Sequence, residues 1–511
     1  MRLLDSTTFE FIDSEEAPTG YAILSHRWYQ DCEEVTYEEM RNGAGSNKLG
    51  YEKIRKCGEI ARAAGHLYFW IDTCCIDKTS SAELSEAINS MYSWYRDAAT
   101  CYAFLFDVSS SSGCSGLRES KWFSRGWTLQ ELLAPSQVEF LSKEWESMGT
   151  KLDLKEEINQ ITGIPIEALH GESFDQYSVA EKMSWAARRQ TKRVEDRSYC
   201  LMGLFGVNMP LLYGEKDKAF LRLQEEIMKI SDDQSLFAWA DPQLPSERHV
   251  GLLASGPEMF KSSKDIYSMG VWHNGDAFSS SNKGIGLRLF LIPHLKSEKI
   301  YRASLECWVR TSRSTSPAIY VKRLSGGNED WGTSFGAQFA RIQGSHMDFI
   351  SGEQKHGGIY RAVFIRQNPG APQSQLRDWS NSLLRHFRIM SPKLYHNPEN
   401  QAPELAVFPP NCWDPQMSIF TALEKSGKFG RIRFGWDGFD VFLYFGLSTS
   451  NSPWVKLIER PPRGDLRQAY TTKGDETSDS IIVRENRLWR ANVTNTNMYG
   501  IMLYVISIQD W

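Results

Sequence analysis

Several signals that often reveal a function are missing from this chain of 511 residues. Its net charge is only -5 at pH 7, so neither a general nucleic-acid binder nor a protein that adheres to anionic membranes is expected. It has no G-x-x-x-x-G-K-[ST] and no G-x-G-x-x-G stretch, which excludes the usual glycine-rich phosphate loops. The longest late apolar run, residues 499–508, is too short to span a bilayer.

The cysteines also lack a pattern. There are 9 of them, without a repeating spacing, and the first residues, M-R-L-L-D, carry an acidic side chain where a signal peptide needs apolar ones. We therefore expect a cytoplasmic protein with reduced thiols. Cys74 and Cys75 are adjacent, so neither a redox pair nor a zinc site is predicted. A nucleophilic pair between one of these cysteines and His26 is the less common alternative to a buried structural cysteine.

The first third of the chain alternates apolar strands with amphipathic helices. Residues 21–25, 67–72, 101–106 and 138–141 are continuous apolar runs, and helical spacing appears between them. This alternation predicts a parallel sheet with helices on its faces. Ligands of such sheets bind at the carboxyl ends of the strands. Three segments are predicted to lie at these carboxyl ends: Ser25–Trp28, Asp72–Asp77 and the loop that leads to Glu131.

The segment 122–135, W-F-S-R-G-W-T-L-Q-E-L-L-A-P, contains one carboxylate among apolar side chains. At helical spacing, Glu131 falls on the same core-facing side as Leu129, Leu132 and Leu133. A carboxylate in that position is costly unless it has partners or a chemical role. The structural alternative is that Glu131 lies on the helix surface or caps the helix.

The sequence pattern changes twice in the remainder of the chain. Residues 151–245 have helical periodicity and form a predicted helical extension of the α/β unit at residues 1–150. Within it, R-V-E-D-R-S-Y at residues 193–199 is interpreted as a salt-bridged turn. Residues 250–511 are rich in short β-type segments separated by Gly, Ser, Asn and Pro, which predicts a mostly antiparallel, sandwich-like β domain.

Several blocks resemble a known family. The blocks Y-A-I-L-S-H-R-W, F-W-I-D-T-C-C-I-D, S-E-A-I-N-S-M-Y-S-W-Y and R-G-W-T-L-Q-E-L-L-A-P, in this order, resemble the fungal heterokaryon incompatibility (HET) domain, and R-V-E-D-R-S-Y-C-L-M-G-L-F resembles its usual extension. The resemblance covers residues 1–240 and implies a role in fungal non-self recognition and regulated cell death. HET domains look like distant relatives of TIR domains, so a flavodoxin-like parallel sheet is implied as well.

The TIR resemblance also implies a reaction. Many TIR domains split NAD at the nicotinamide–ribose bond, with the Glu of a W-C-L-x-E-L motif as the catalytic residue. Here W-T-L-Q-E-L places Glu131 at that position, and Thr128 replaces the Cys. Because nicotinamide leaves as a neutral molecule, one carboxylate that stabilises an oxocarbenium-like ribose is chemically sufficient. NAD is thus the expected substrate, with no tightly bound cofactor and no metal.

The predicted site combines this glutamate with the three strand-end segments. Trp28 or Trp127 could stack on a base, the alternative being core packing, and Arg27 or Arg125 could pair with a pyrophosphate. The alternative for Arg27 is an ion pair with Asp72 or Asp77. The full prediction is catalytic Glu131 with nucleotide-binding Ser25, His26, Arg27, Trp28, Asp72, Cys74, Asp77, Arg125 and Trp127.

Two other interpretations of function stay open at this point. The α/β unit could be a non-enzymatic module that signals by self-association or through protein partners, with its aromatic blocks serving as core and interface. Alternatively, the β domain could sense a partner and hold the α/β unit inactive, in which case deleting residues 251–511 should raise toxicity.

Overall fold

The computed structural model describes residues 1–13, 20–171, 173–246, 248–268, 277–294, 299–312, 314–324, 337–355 and 358–369, and beyond these the strands between residues 385 and 510. The helices described are α1 (Tyr37–Arg41), α2 (Leu49–Ala63), α3 (Ser81–Asp97), α4 (Gly113–Leu117), α5 (Thr128–Leu133), α6 (Lys155–Thr162), α7 (Ile166–Leu169), α8 (Val179–Ala186), α9 (Asp196–Tyr199), α10 (Met202–Phe205) and α11 (Lys218–Ile230).

The strands of the first 370 residues are β1 (Arg2–Asp5), β2 (Phe11–Asp13), β3 (Ala22–His26), β4 (Tyr68–Trp70), β5 (Thr100–Phe104), β6 (Val138–Leu141), β7 (Ser147–Thr150), β8 (Ile266–Ser268), β9 (Ser279–Ser281), β10 (Gly284–Pro293), β11 (Ile300–Ser304), β12 (Cys307–Val309), β13 (Thr315–Arg323), β14 (Gln338–Ile342), β15 (Asp348–Ser351) and β16 (Ile359–Ile365). The later strands are β17 (Arg385–Met390), β18 (Ala406–Phe408), β19 (Trp413–Asp414), β20 (Ile419–Ala422), β21 (Phe429–Trp436), β22 (Phe439–Leu447), β23 (Pro453–Ile458), β24 (Asp479–Arg484), β25 (Arg487–Met498) and β26 (Ile501–Asp510).

The amino-terminal unit is built on a seven-stranded sheet in the order β2-β1-β4-β3-β5-β6-β7. Its four central strands, β4, β3, β5 and β6, run parallel, as the sequence predicts. β1, β2 and β7 join antiparallel at the two edges, so the sheet is mixed. β3 is buried along its whole length, which explains why its sequence is apolar throughout instead of alternating.

The helices between these strands follow ordinary capping and packing rules. α3 begins after Ser80, whose side chain accepts a hydrogen bond from the Glu83 N–H, and it buries Ile88, Met91 and Tyr95. α5 is short, and all of its six residues are buried. Its start is held close to the helical extension, because a Cβ added at Gly126 would lie 2.4 Å from Cγ2 of Thr191.

The helical extension contains the predicted salt-bridged turn. Arg197 contacts Asp217 at 2.7 Å and Glu258 at 3.0 Å. Glu195 accepts hydrogen bonds from the backbone N–H groups of Gly214 and Lys216 at 2.7 and 3.0 Å. The charges at residues 193–199 therefore fix the loop that precedes α11.

The β-rich half is mostly antiparallel, as predicted, but the prediction of one sandwich is wrong for its first part. β10, β11, β13, β14 and β16 form a closed barrel, in which each strand pairs with the next and β16 returns to β10. β14 and β16 are parallel, and the other pairs in the ring are antiparallel. Alternating side chains are common to sandwiches and barrels, and closure depends on strand register, which the pattern does not encode. The later strands form two further sheets.

The barrel and the helical extension share one hydrophobic core, which runs from Leu3 to Ile365. Arg341 on β14 is 1% exposed, and its guanidinium donates to the carbonyls of Phe237, at 3.1 Å, and Trp239. The Ser178 hydroxyl donates to the Ile266 carbonyl at 2.6 Å. Among the residues described, none of the helices has the length and apolar character that a bilayer crossing requires.

Candidate functional site

A cleft of about 840 Å³ opens at the carboxyl ends of the central parallel strands. Its walls come from the segments after β3 and β4, from the start of α5, and from the loops of the helical extension. We call it the Glu131 cleft. The predicted site residues that line it are Arg27, Trp28, Asp72, Arg125, Trp127 and Glu131.

Glu131 lies at the floor of this cleft and is only 5% exposed. The Ser25 hydroxyl donates a hydrogen bond to Oε2 of Glu131, and Nε1 of Trp122 donates to the same hydroxyl at 2.9 Å. Burial raises the pKa of Glu131 to about 7, against the opposing effects of the Arg125 charge and the Ser25 hydrogen bond. The carboxyl group can therefore exchange its proton near neutral pH.

Asp72 anchors two aromatic rings beside Glu131. Nε2 of His26 is 2.9 Å from Oδ1 of Asp72, and Nε1 of Trp28 donates to Oδ2 at 2.8 Å. Burial by itself would raise the pKa of Asp72, but the His26 hydrogen bond and the nearby cations outweigh burial and lower it. Burial lowers the pKa of His26, so the neutral imidazole donates its Nε2–H to an ionised Asp72.

Three cations stand at the same end of the cleft. Nζ of Lys78 lies 3.9 Å from the centre of the Trp28 ring, and Cζ of Arg125 lies 5.7 Å from it. Arg125 also donates to the His26 carbonyl at 2.5 Å. Arg27 makes no ion pair with Asp72 or with any other carboxylate among the residues described. Its pKa is lowered by burial and by the charge of Arg125.

The helix that carries Glu131 is fixed by hydrogen bonds to the extension. The N–H of Gly126 donates to the Gln190 carbonyl at 2.8 Å, and the N–H of Gln190 donates to the Ser124 carbonyl at 2.7 Å. The Thr128 hydroxyl lies 2.6 Å from the Trp122 carbonyl, to which it donates, and 2.9 Å from the Arg125 carbonyl, and it accepts from Arg189 at 3.0 Å. Thr128 thus serves as a hydrogen-bonding bridge at the start of α5.

Sequence reasoning missed the far wall of the cleft. Arg193 stacks its guanidinium 4.2 Å from the centre of the Tyr213 ring, and the Tyr213 hydroxyl donates to Asp196 at 3.1 Å. Lys192 bridges to Asp31 at 2.5 Å across the mouth. Arg193 and Asp196 belong to the segment interpreted as a structural turn, and only tertiary folding brings that segment over the strand ends. Lys78, which directly follows Asp77, was also missed.

Four of the predicted binding residues do not line the cleft. Ser25 and His26 lie behind the wall of the cleft. There Ser25 forms a hydrogen bond with Glu131, and His26 forms one with Asp72. Cys74 is fully buried, and its pKa is raised by its hydrogen bond with Cys75 and by burial. Asp77 accepts hydrogen bonds from Thr79 and caps a turn. No cluster of His, Cys, Asp and Glu that could hold a metal occurs among the residues described.

One part of this constellation, with Arg27, Trp28, Asp72 and Lys78, lies in a stretch of the chain that matches a family model. Residues 21–121 match the family model of the heterokaryon incompatibility protein (HET), and residues 218–284 match a domain of unknown function (DUF8212). The chain therefore carries a HET domain, and the resemblance noted in its sequence blocks is confirmed. Glu131 lies ten residues beyond the matched range.

One curated relative extends this match. The vegetative incompatibility protein HET-E-1 of Podospora anserina is 44% identical over 296 residues. The alignment covers 54% of this chain and 22% of that relative, so the chain corresponds to about a fifth of the relative's length. No solved structure matches the chain.

Proposed function

We propose that this protein acts in fungal non-self recognition and triggers regulated cell death, and that its HET domain binds and hydrolyses NAD in the Glu131 cleft. The HET match and the printed name of the Podospora relative support the first part. The second part rests on one observation: Glu131, buried and with a pKa of about 7, forms the floor of a cleft lined by cations and aromatic rings.

The arrangement of the sheet supports the comparison with TIR domains. In chain order, the four parallel strands are arranged 2-1-3-4, as in the first four strands of flavodoxin-like sheets. Ligands of such sheets bind at the carboxyl ends, where the strand order reverses. Here that point lies between β3 and β5, directly beside Ser25 and His26. The position of Glu131 beside this point supports the proposal that it acts on a bound ligand.

The reaction would break the bond between C1′ of the ribose and the nicotinamide nitrogen. The bonding electrons move to the ring, which leaves as neutral nicotinamide, so no acid is needed. The ionised Glu131 stabilises the positive charge that develops on the ribose, in a site where little water weakens the interaction. Water then adds to C1′ and loses a proton, which gives ADP-ribose. Trp127 at the cleft wall offers a face for base or nicotinamide stacking.

The test is nicotinamide release by the purified full chain, in every oligomeric form that it adopts, with Glu131→Gln as the variant. Loss of one charge that acts on the transition state should lower the rate by about a hundredfold or more. Glu119→Gln is the control, because Glu119 is an exposed carboxylate that does not line the cleft. Equal release by wild type and Glu131→Gln would refute the catalytic proposal.

The same variants separate this proposal from the interaction-module alternative in cells. If catalysis signals, Glu131→Gln should abolish killing in a fungal expression assay while the protein stays folded. If the domain signals through self-association or protein partners, Glu131→Gln should kill as efficiently as wild type. That second result, together with the absence of nicotinamide release, would favour the non-enzymatic function.

A further inference from the structure

Lys78 is held in the cleft without a carboxylate partner. Its ammonium group lies 3.9 Å from the centre of the Trp28 ring, and its hydrogen bond, to the Thr73 carbonyl, is long at 3.5 Å. Within the described residues, no Asp or Glu forms an ion pair with it. Desolvation lowers its pKa, while the charge of Asp72 opposes that effect. The side chain is exposed at the cleft, so an anion that enters the cleft can reach its ammonium group directly.

Trp28 acts as a platform for this lysine. The indole N–H donates to Asp72 at 2.8 Å, which fixes the ring. A carboxylate in contact with Lys78 would neutralise its charge, whereas an aromatic face orients the ammonium and leaves the full charge available. The face of the Trp28 ring is therefore already in contact with cations.

Arg125 and Arg27 add to the positive charge at this end. The charge of Arg125 lowers the pKa of both Lys78 and Arg27, so Arg125 repels each of the other two cations. Such like-charge clusters are stabilised when an anion lies among them. Arg supplies a fork that fits phosphate oxygens, and Lys supplies a compact point charge.

We propose that Lys78, together with Arg27 and Arg125, binds the diphosphate of the dinucleotide, and that Trp28 positions Lys78 instead of stacking on a base. This assignment rests on the proposed function and names the subsite that would hold the substrate. It leaves base or nicotinamide stacking to Trp127.

The experiment is calorimetric titration of the full chain with ADP-ribose, ADP, inorganic pyrophosphate and adenosine. Lys78→Met should weaken ADP-ribose, ADP and pyrophosphate binding by about tenfold to a hundredfold and leave adenosine binding within about twofold. Lys78→Arg, which retains the charge, should recover most of the affinity. Lys192→Met is the matched control, because Lys192 lines the same cleft but pairs with Asp31.

Trp28 variants test the platform separately. Trp28→Leu should weaken ADP binding nearly as much as Lys78→Met, whereas Trp28→Phe, which keeps an aromatic face, should cost less. Unchanged ADP affinity in Lys78→Met, an equal loss for adenosine, or no binding of ADP-ribose at millimolar concentration would each overturn the assignment. Wild-type ADP affinity in Trp28→Leu would overturn the platform role.

The two proposals fail in different ways. If ADP binds in a Lys78-dependent manner but nicotinamide is never released, the catalytic proposal fails and the diphosphate subsite stands. If wild type and Lys78→Met release nicotinamide with the same KM, the subsite assignment fails and catalysis stands.

Discussion

Replacing Glu131 by Gln should stabilise the folded protein at alkaline pH, whatever the reaction in the cleft. The pKa of Glu131 rises from an ordinary value of 4.5 to about 7 because the side chain is buried. In the unfolded chain the carboxyl group loses its proton near pH 4.5. Between pH 4.5 and about 7, the folded state therefore binds the proton more strongly than the unfolded state. Stability therefore falls as the pH rises from 4.5 to 7 and stays low above that.

The size of the effect follows from the same values. Each pKa unit is worth about 1.36 kcal/mol, so ionised Glu131 costs about 3 kcal/mol of unfolding free energy above pH 7. Gln keeps an oxygen that accepts from the Ser25 hydroxyl and carries no charge. For a shared core that extends to Ile365, this corresponds to a melting temperature about 3 °C higher for the variant.

The assay is thermal unfolding of wild type and Glu131→Gln at about pH 5 and about pH 8. We expect nearly equal melting temperatures at the lower pH, where wild-type Glu131 is protonated in the fold, and a clear gain for the variant at the higher pH. Glu119→Gln should show no such dependence, since Glu119 is exposed. A gain that is the same at both pH values would refute the buried, proton-exchanging carboxyl on which the proposed chemistry depends.

Three further predictions concern the same region and its support. The proposed reaction requires the ionised form of Glu131, so it predicts that nicotinamide release increases as the pH rises through about 7, and a flat pH–rate profile would contradict this role. Gly126→Ala should cost about 1–3 kcal/mol in denaturant unfolding, because its Cβ would lie 2.4 Å from Thr191. Gly352→Ala is the control, because Gly352 also has no positive φ and the nearest atom to an added Cβ lies 4.0 Å away. A chain of residues 1–250 should be poorly soluble, because it lacks Leu252 and Arg341, which are buried in the structure. A chain of residues 1–369 retains both residues and should fold. Equal recovery of the two chains as soluble protein in gel filtration would contradict this prediction.

The last prediction changes how the regulatory hypothesis is tested. Deleting residues 251–511 was the expected way to ask whether the β domain restrains toxicity. That cut would remove Arg341 and leave the carbonyls of Phe237 and Trp239 without their partner. A chain of residues 1–369 retains the barrel, including the Gln367 side chain that accepts from the Leu253 N–H at 3.1 Å. Increased killing by this shorter chain would support restraint by the later strands.

The central strands and the strand-end segments were predictable because burial on both faces leaves a strong apolar signal. β6 agrees at both ends with the predicted strand at residues 138–141. β1, β2 and β7 were missed, since strands of three or four residues at a sheet edge carry little pattern. The barrel was missed because its closure comes from the pairing of β14 with β16, which no local pattern specifies.

The site was predictable in part. Glu131, Asp72 and Arg125 follow from the strand-end rule and the family resemblance, and the cleft includes all three. Ser25 and His26 were assigned to the ligand, yet in the structure they hold the carboxylates from behind, and sequence position does not distinguish these two roles. Tyr213 and Arg193 reach the cleft from more than sixty residues downstream of the α5 helix, so only the folded chain reveals them.

Arg341 also determines how late during synthesis this part of the core can be completed. Its two carbonyl acceptors, Phe237 and Trp239, precede it by 104 and 102 residues. At about 5–20 residues per second, a ribosome needs roughly 5–20 s to make that stretch of chain. During this interval, the HET domain has left the ribosome while part of the core behind it lacks its partner. A chain that ends before residue 341 would therefore contain the HET domain, but the carbonyls of Phe237 and Trp239 would lack the guanidinium that donates to them.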